Sequence, residues 1–555
     1  MKKVVYSIVA AVAMLLPLGS CSDDEPTVPG GGTVVGAGDD MPVFDIEFDA
    51  TPLEESDEIT KDPNKESYDE YFENKAFPNK VVIIYSEGKA EVTGQVPGVA
   101  VEVKGAGVVV NSTVAGVEYE LKGSSSNSYF RLYGDNYTKV ILAGVKLNNP
   151  TGAAINIQSK APTYLHLVEK SVNSLSDGKT YEPVAPMEDM KGCIFAEGKL
   201  IFSGKGVLDI SANCKNAISS DMNILFRPGN VINITSTASN GIKAKTGVRI
   251  SGGVLNIDVK GEAAKGINSE SYVVVSGGRT IIKTSGNSKF NGIDLTNAAG
   301  VKCDTDFGLI GGKIAVKTTG KGGKGINVNG AVTISSGELD VLVTGSKYIH
   351  SPVMSSTPKG INSDLVMMIN GGKVKARVND SSSGEGLESK VAVLINGGRI
   401  EVSTVDDCIK GEKYVDMSNA LIYAYSADGD AIDSNGEVNI LNSLVVAVGG
   451  KSNNGIECME GKFKIDVSDV VAIGGSNTTM SSDENYIVSY TSPVVGGECL
   501  LIVDEKGNDI MGYKLPKSYD SVSLLMTARN MKKQNSYKVK KVTSLEGNNF
   551  HGMSF

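Results

Sequence analysis

The side chains best placed to do chemistry are six carboxylates near the end of the chain: Glu385, Glu388, Asp407, Asp430, Asp433 and Glu457, with Asp406 beside them. They stand two residues before, or one after, the recurring apolar residues Leu387, Ile409, Ile432 and Ile456, and Lys410 is the one cation at these positions. If successive repeats stack, these groups lie about one strand spacing apart and repel unless protonated, paired or bridged by a cation. Calcium is the natural bridge, because it takes six to eight oxygen ligands in flexible geometry and carboxylates, Asn side chains and backbone carbonyls are all present here. The alternative is a solvated ladder partly neutralised by Lys410. Asp294, in an Asn-rich stretch, is a further isolated metal candidate. Lys410 is also the best available base for a lyase acting on uronic-acid polymers, although a salt bridge accounts for it equally well.

Aromatic residues supply the second kind of chemistry. Tyr423 and Tyr425 share one face of a strand, and Tyr348 lies in an insertion with His350 and Pro352. Such rings stack on sugars, or else fill a gap between the body and a cap. Tryptophan is absent from the 555 residues. The three histidines, His166, His350 and His551, fall on separate segments and suggest no Ser-His-Asp set, and no phosphate loop stands between a strand and a helix.

These groups need elements to hold them, and internal repetition identifies those elements. A small residue followed by Ile or Leu returns at Ile155, Ile194, Ile218, Ile242, Ile267, Ile293, Ile326, Ile361, Leu387, Ile409, Ile432 and Ile456, mostly about two dozen residues apart. From Gly241 to Lys265 the apolar residues alternate with polar ones in three short runs separated by Gly-rich turns, which predicts three strands with one face buried. No such coil can bury its own apolar face, so coils must stack, and the fold class is all-β: a right-handed parallel β-helix, or solenoid. Ser251-Gly252-Gly253, Ser276-Gly277-Gly278, Asn370-Gly371-Gly372 and Asn396-Gly397-Gly398 are its turns. Asn216, Asn240 and Asn291 are expected to form a hydrogen-bonded ladder. The divisions expected are an N-terminal β region and cap over 76–150, coils over 151–475 and a small C-terminal β cap over 476–555.

The start of the chain reads as an export signal. Lys2 and Lys3 precede an apolar run, and Leu18-Gly19-Ser20-Cys21 resembles the lipobox of bacterial lipoproteins, which places lipid on Cys21 and makes residues 1–20 a signal peptide. Ser22-Asp23-Asp24-Glu25 resembles the acidic tag of surface-exposed outer-membrane lipoproteins, which implies an outer-membrane protein facing the exterior. Residues 21–75 carry 17 acids and 3 bases, and are expected to form a flexible acidic tether. The remainder is near neutral, so it carries no basic footprint for nucleic acid. The six cysteines after Cys21 have no CxxC spacing, and Cys193 and Cys408 read as small core fillers.

Val117-Glu118-Tyr119-Glu120-Leu121-Lys122-Gly123, Val140 to Leu147, Ala153 to Lys160, Glu188-Asp189-Met190-Lys191-Gly192 and Gly386-Leu387-Glu388 with Ile395 to Gly398 follow in an order that resembles the calcium-associated, pectate-lyase-like carbohydrate-binding β-helix lipoproteins. The resemblance implies a cell-surface protein that binds polysaccharide with calcium held along its coils, without a reaction. Members of that family often place Asp before the core Gly-Ile, whereas this chain has Asn240, Lys265, Asn291, Lys324 and Lys359 there. That rung of the central coils is therefore a poor place for metal, and only the Glu385 to Glu457 stretch keeps the acidic character. The alternatives are a pectate-type polysaccharide lyase and a structural or adhesive surface rod.

Overall fold

The computed structural model describes residues 46–184, 188–379, 383–460 and 463–555. Cys21, the signal segment and the Ser22–Glu25 tag lie outside them. The described chain is a parallel β-solenoid. Among the described residues one column of fifteen short strands forms a single face, beginning Val99–Lys104, Ala106–Ser112, Ser128–Tyr133 and ending Ile432–Ser434, Ile456–Cys458. Every neighbour in that column pairs in parallel except the first two, which pair antiparallel. The remaining coil strands form the other walls and merge into one sheet where Thr138–Asn149, Phe307–Thr318 and Val332–Val343 run continuously around a corner.

The core follows from register. Ile155, Ile194, Ile218, Ile242, Ile267, Val301, Ile326, Ile361, Leu387, Ile409, Ile432 and Ile456 are paired each to the next and are buried. Burying one such side chain contributes about 1.5–3 kcal/mol, and the stack repeats that gain in every coil. Phe202 over Phe226, with ring centroids 4.9 Å apart, extends it with aromatics in the early coils. The turn glycines are required sterically: Gly278 has φ +76°, and a Cβ there would lie 2.6 Å from the Gly253 carbonyl oxygen of the coil beneath.

One position of the expected repeat is corrected. Ile293 is 79 % exposed, and its place in the column is taken by Val301. Residues 289–296 are an inserted hairpin, Lys289–Phe290 against Leu295–Thr296. A second hairpin, Tyr348–Ser351 against Met354–Ser356, accounts for the long interval before Ile361. The two insertions touch, with Phe290 stacked on His350 at 4.3 Å.

Both ends are closed by antiparallel pairing. Lys89–Thr93 folds back on Asn79–Ser86, whose other edge already pairs in parallel with Val117–Ser125, so coil-type pairing begins before residue 151. At the far end Ser523–Thr527 runs antiparallel to Asp469–Gly474 and to Val488–Tyr490, and a five-stranded sheet from Cys499–Asp504 to Met553–Ser554 covers it. Blocking the terminal edges in this way removes the template for further strand addition.

Residues 46–75 do not behave as a loose tether. Ile46 is buried against Ile281 and Leu342. Arg227, 3 % exposed at its side chain, takes Glu73 through both Nη atoms at 3.0 and 2.9 Å and Asp57 through Nε at 3.0 Å. Arg279 binds Asp49 at 3.0 Å, and Phe72 and Phe77 pack edge-on to Tyr164. Among the described acids of this segment, Asp49, Asp57, Glu70 and Glu73 pair with arginines spread over several coils.

Candidate functional site

The outward residues of the short-strand face form two columns, and stacking decides who meets whom. In the late coils Glu388, Lys410, Asp433 and Glu457 are consecutive register partners. Lys410 Nζ lies 2.7 Å from both Asp407 Oδ2 and Asp433 Oδ2. Burial works against its charge, but the hydrogen bonds and fields of these two carboxylates more than offset that and raise its pKa, which favours the ammonium form between them. Two coils earlier Lys359 pairs with Glu385 at 2.7 Å and with Glu388, both on the intervening coil.

Asp430, Asp433 and Glu457 bring one carboxylate oxygen each within 4.8 Å of one another. Burial first, then the neighbouring carboxylates, raise Asp430 and Asp433 above the ordinary range, with Lys410 opposing this at Asp433. The Asp407 carboxylate accepts the Asp430 backbone N–H at 3.0 Å, and Asp430 accepts that of Asn454. Asp406, next to this group, is pushed up to about 6 by burial and by the fields of Asp407 and Glu385. Three converging oxygens whose negative charge is incompletely compensated are the donor set that a hard divalent cation takes. The expected residues therefore separate. Asp430, Asp433 and Glu457 come together, Asp407 joins them through Lys410, and Glu385 and Glu388 are taken by Lys359. Asp294 lies on the exposed hairpin away from the column, where its N–H donates to Asn291 Oδ1 at 2.9 Å.

The central coils carry their own cations. Lys265 and Lys324 occupy the register of Glu385 through Ala299 and Lys359. Lys265 Nζ donates to the Ala263 carbonyl at 2.7 Å and Lys324 Nζ to that of Thr357 at 3.3 Å. Burial, with Lys302 or Lys359 adjacent, lowers them to about 8 and about 7. A lysine side chain thus takes, in these coils, the outward position that Glu385 takes in the later one. Of the amides, Asn240 donates to Asn216 Oδ1 at 2.9 Å as a ladder should, whereas Asn291 serves its own hairpin turn.

Neither Tyr423 nor Tyr425 presents a face to an extended glycan. Tyr423 stacks on His551 at 3.8 Å and Tyr425 lies under Lys517, both packed against the C-terminal cap. Tyr348 is half-buried in the second hairpin opposite Ser356.

A groove that the repeat pattern did not single out lies lower on the same face. It encloses about 390 Å³ between Lys191, Lys215, Lys243, Lys245, Asp221 and Glu270, with Ser219 at its floor. Lys191 and Lys245 converge on Asp221 at 2.6 and 2.8 Å, and Lys243 pairs with Glu270 at 3.1 Å. Its lining is mixed, with charged tips, amides and hydroxyls standing beside Cys214, Ala238 and the lysine methylenes. The signal was available as Lys243 on the outward column, but Lys191 and Lys215 reach it from turns.

Residues 104–431 match the family model described as carbohydrate-binding domain-containing protein. A 93-residue stretch is 28 % identical to a carbohydrate-binding domain-containing protein of Acetivibrio thermocellus, covering 17 % of this chain and 32 % of that one. The chain thus spans about a third of that curated relative's length. The solved structure of the polysaccharide lyase-like protein from C. thermocellum, a gadolinium derivative, aligns at 22 % identity with TM-score 0.39, covering 46 % of this chain and 96 % of that one. Because the family model spans more than half of the residues, including most of the stacked coils, this chain belongs to the carbohydrate-binding domain-containing proteins.

Proposed function

We propose that this protein is a non-catalytic, polysaccharide-binding lipoprotein displayed on the outer membrane through lipid on Cys21. The observation that carries the reading is the family match over 104–431, coincident with coils whose outward face is polar and rigid. The groove between Lys191 and Glu270 is the place on that face where a glycan is enclosed on more than one side. Asp430, Asp433 and Glu457 would hold a calcium ion, which supplies positive charge to a carboxylate cluster and so stiffens the late coils. Lys410, locked between two aspartates, supports binding over lysis.

The test is retention on a panel of neutral and acidic polysaccharides with and without chelator, alongside uptake of labelled lipid by wild type and Cys21→Ser. Retention of at least one glycan, weakened by Lys243→Ala, is the expected result. A protein that retains none under any condition overturns the binding reading, and lipid uptake by Cys21→Ser overturns the anchor. Calcium should raise the unfolding temperature of the wild type but not of an Asp430→Asn, Glu457→Gln double variant.

A further inference from the structure

The outward column that stands two residues before each core side chain runs Lys265, Ala299, Lys324, Lys359, Glu385 through consecutive register partners. Lys359 reaches one coil onward to the Glu385 carboxylate at 2.7 Å. The same step onward from Lys265 ends at Ala299, and the step back from Lys324 ends at that same methyl group. Among the described residues neither lysine forms an ion pair. Lys265 Nζ donates to the Ala263 carbonyl at 2.7 Å and Lys324 Nζ to the Thr357 carbonyl at 3.3 Å, one bond each for a group with three donors. Lys302, the outward neighbour of Ala299 on its own coil, is held by Asp304 at 3.3 Å.

These two ammonium groups are largely removed from water. Lys324 is 8 % exposed and Ala299 1 %, while Lys265 is half-buried and gives the place its access to solvent. Burial first, then the like charges of Lys302 and Lys359, depress both pKa values against the weaker pull of Asp304 and Glu385. A cation taken out of water is costly without a counter-charge. The later coils supply one from this very column, as Glu385, Asp407 and Asp430, whereas the chain supplies none at Ala299. Spacing fixes the size of the anion that fits. Two coils separate the lysine positions by about 9.6 Å. Charge-assisted N–H···O bonds of about 2.8 Å on opposite sides of a tetrahedral oxyanion span about 8 Å, and a single halide spans less.

We infer that Lys265 and Lys324 bind one inorganic oxyanion, phosphate or sulfate, over the Ala299 methyl group. The ion takes the part for these two lysines that Glu385 takes for Lys359, and it ties together three coils next to the point where the first hairpin interrupts the repeat. Enclosure selects the free ion over an anionic group carried on a polymer, because Ala299 and Lys324 lie beneath the surface. The inference depends neither on the glycan groove nor on the late carboxylates.

The experiment is equilibrium dialysis of labelled inorganic phosphate against the full chain carrying Cys21→Ser, at fixed ionic strength in chloride, with thermal unfolding in parallel. About one phosphate per chain, displaced by sulfate, and a saturable rise in unfolding temperature are expected. Lys324→Gln and Lys265→Gln should each weaken binding about tenfold or more, the loss of one charge-assisted contact. Ala299→Asp places a carboxylate of the chain's own where Asp407 and Asp430 stand later. It should fold at least as stably as the wild type and no longer respond to phosphate, which separates loss of the site from loss of the fold. Dialysis that finds no ion bound overturns the proposal, as does binding undiminished in Lys324→Gln and Ala299→Asp. A stabilisation that climbs with salt without saturating, alike in every variant, overturns it too.

Discussion

Replacing Asp406 by Asn should stabilise the protein at alkaline pH and leave it unchanged in acid. The Asp406 carboxyl is raised to about 6 from an ordinary value of 3.8, by burial and by the neighbouring Asp407 and Glu385. A carboxyl whose pKa is higher folded than unfolded favours the folded state while protonated. Its contribution is therefore complete below about pH 4 and is lost as pH rises through about 6. Asp406 is half-buried, so solvent screens part of this effect, and its ionised form opposes folding at pH 8 by about 1–2 kcal/mol. Asn has the same shape and no charge, so the variant should exceed the wild type by about 1–2 kcal/mol at pH 8, with the difference closing towards pH 4. The backbone carbonyl of residue 406, which accepts hydroxyls from Thr404 and Ser426, is untouched by the change. The assay is urea unfolding by far-ultraviolet circular dichroism in chelator, with amide exchange at Ile409–Gly411 reporting local opening, because stacked coils can unfold in parts. An Asn variant no more stable than wild type at pH 8, or a difference that does not change with pH, would refute the electrostatic account of these coils.

Three further outcomes follow from particular contacts. Ile267→Ala should cost about 2–5 kcal/mol by opening a cavity, whereas Ile293→Ala should stay within about 0.5 kcal/mol; equal costs in thermal unfolding would contradict the register through Val301. Arg227→Ala removes the guanidinium that holds Asp57 and Glu73, and should cost about 3 kcal/mol and expose residues 46–75 to limited proteolysis while the coils resist; an unchanged digestion pattern would mean the segment is held by its aromatics alone. Glu401, half-buried beside His551 and Arg399, is lowered to about 2 once those partners outweigh burial. Its contribution is present above about pH 4 and lost as pH falls through about 2, so Glu401→Gln should loosen the C-terminal cap at pH 7 by about 2–3 kcal/mol and matter little near pH 2, read by amide exchange in Asn549–Phe550.

The coil architecture was legible because each layer must repeat the same alternation, and a column of Ile and Leu is the imprint of that demand. The one misplaced layer shows the limit of the reading. Asn291-Gly292-Ile293 copies the core phrase inside a hairpin, while the true layer reads Ala299-Gly300-Val301, with Val where the others have Ile or Leu. The spacing could not correct this, since 34 residues to Val301 and 25 to Ile326 leave one enlarged interval, as do 26 and 33 through Ile293. The late carboxylates were legible for the same reason as the core, because a position in one coil is a neighbour of that position in the next. Tyr423 and Tyr425 were not, since what covers an outward strand face is supplied by a cap more than seventy residues further on, and alternation is silent about that.

The charge distribution shows how one column can be read as both structure and chemistry. A ladder of ionised groups inside a stacked fold requires a counter-charge in nearly every coil, and this chain meets the requirement in three ways. In the early coils amides hydrogen-bond upward and carry no charge, as Asn240 does to Asn216. In the central coils lysines occupy the column and pay with lowered pKa values, Lys324 most of all. In the last coils acids outnumber the cations available to them, since Lys410 reaches Asp407 and Asp433 but leaves Asp430 and Glu457 facing each other. An added divalent cation can therefore lower the energy in one place on this face and not in the others. Inserting a second ammonium there, by Glu457→Lys, should reproduce the stabilisation expected of a bound calcium ion and abolish any response to calcium. If the variant instead remains calcium-responsive in thermal unfolding, the cation binds elsewhere and the late carboxylates are a solvated ladder.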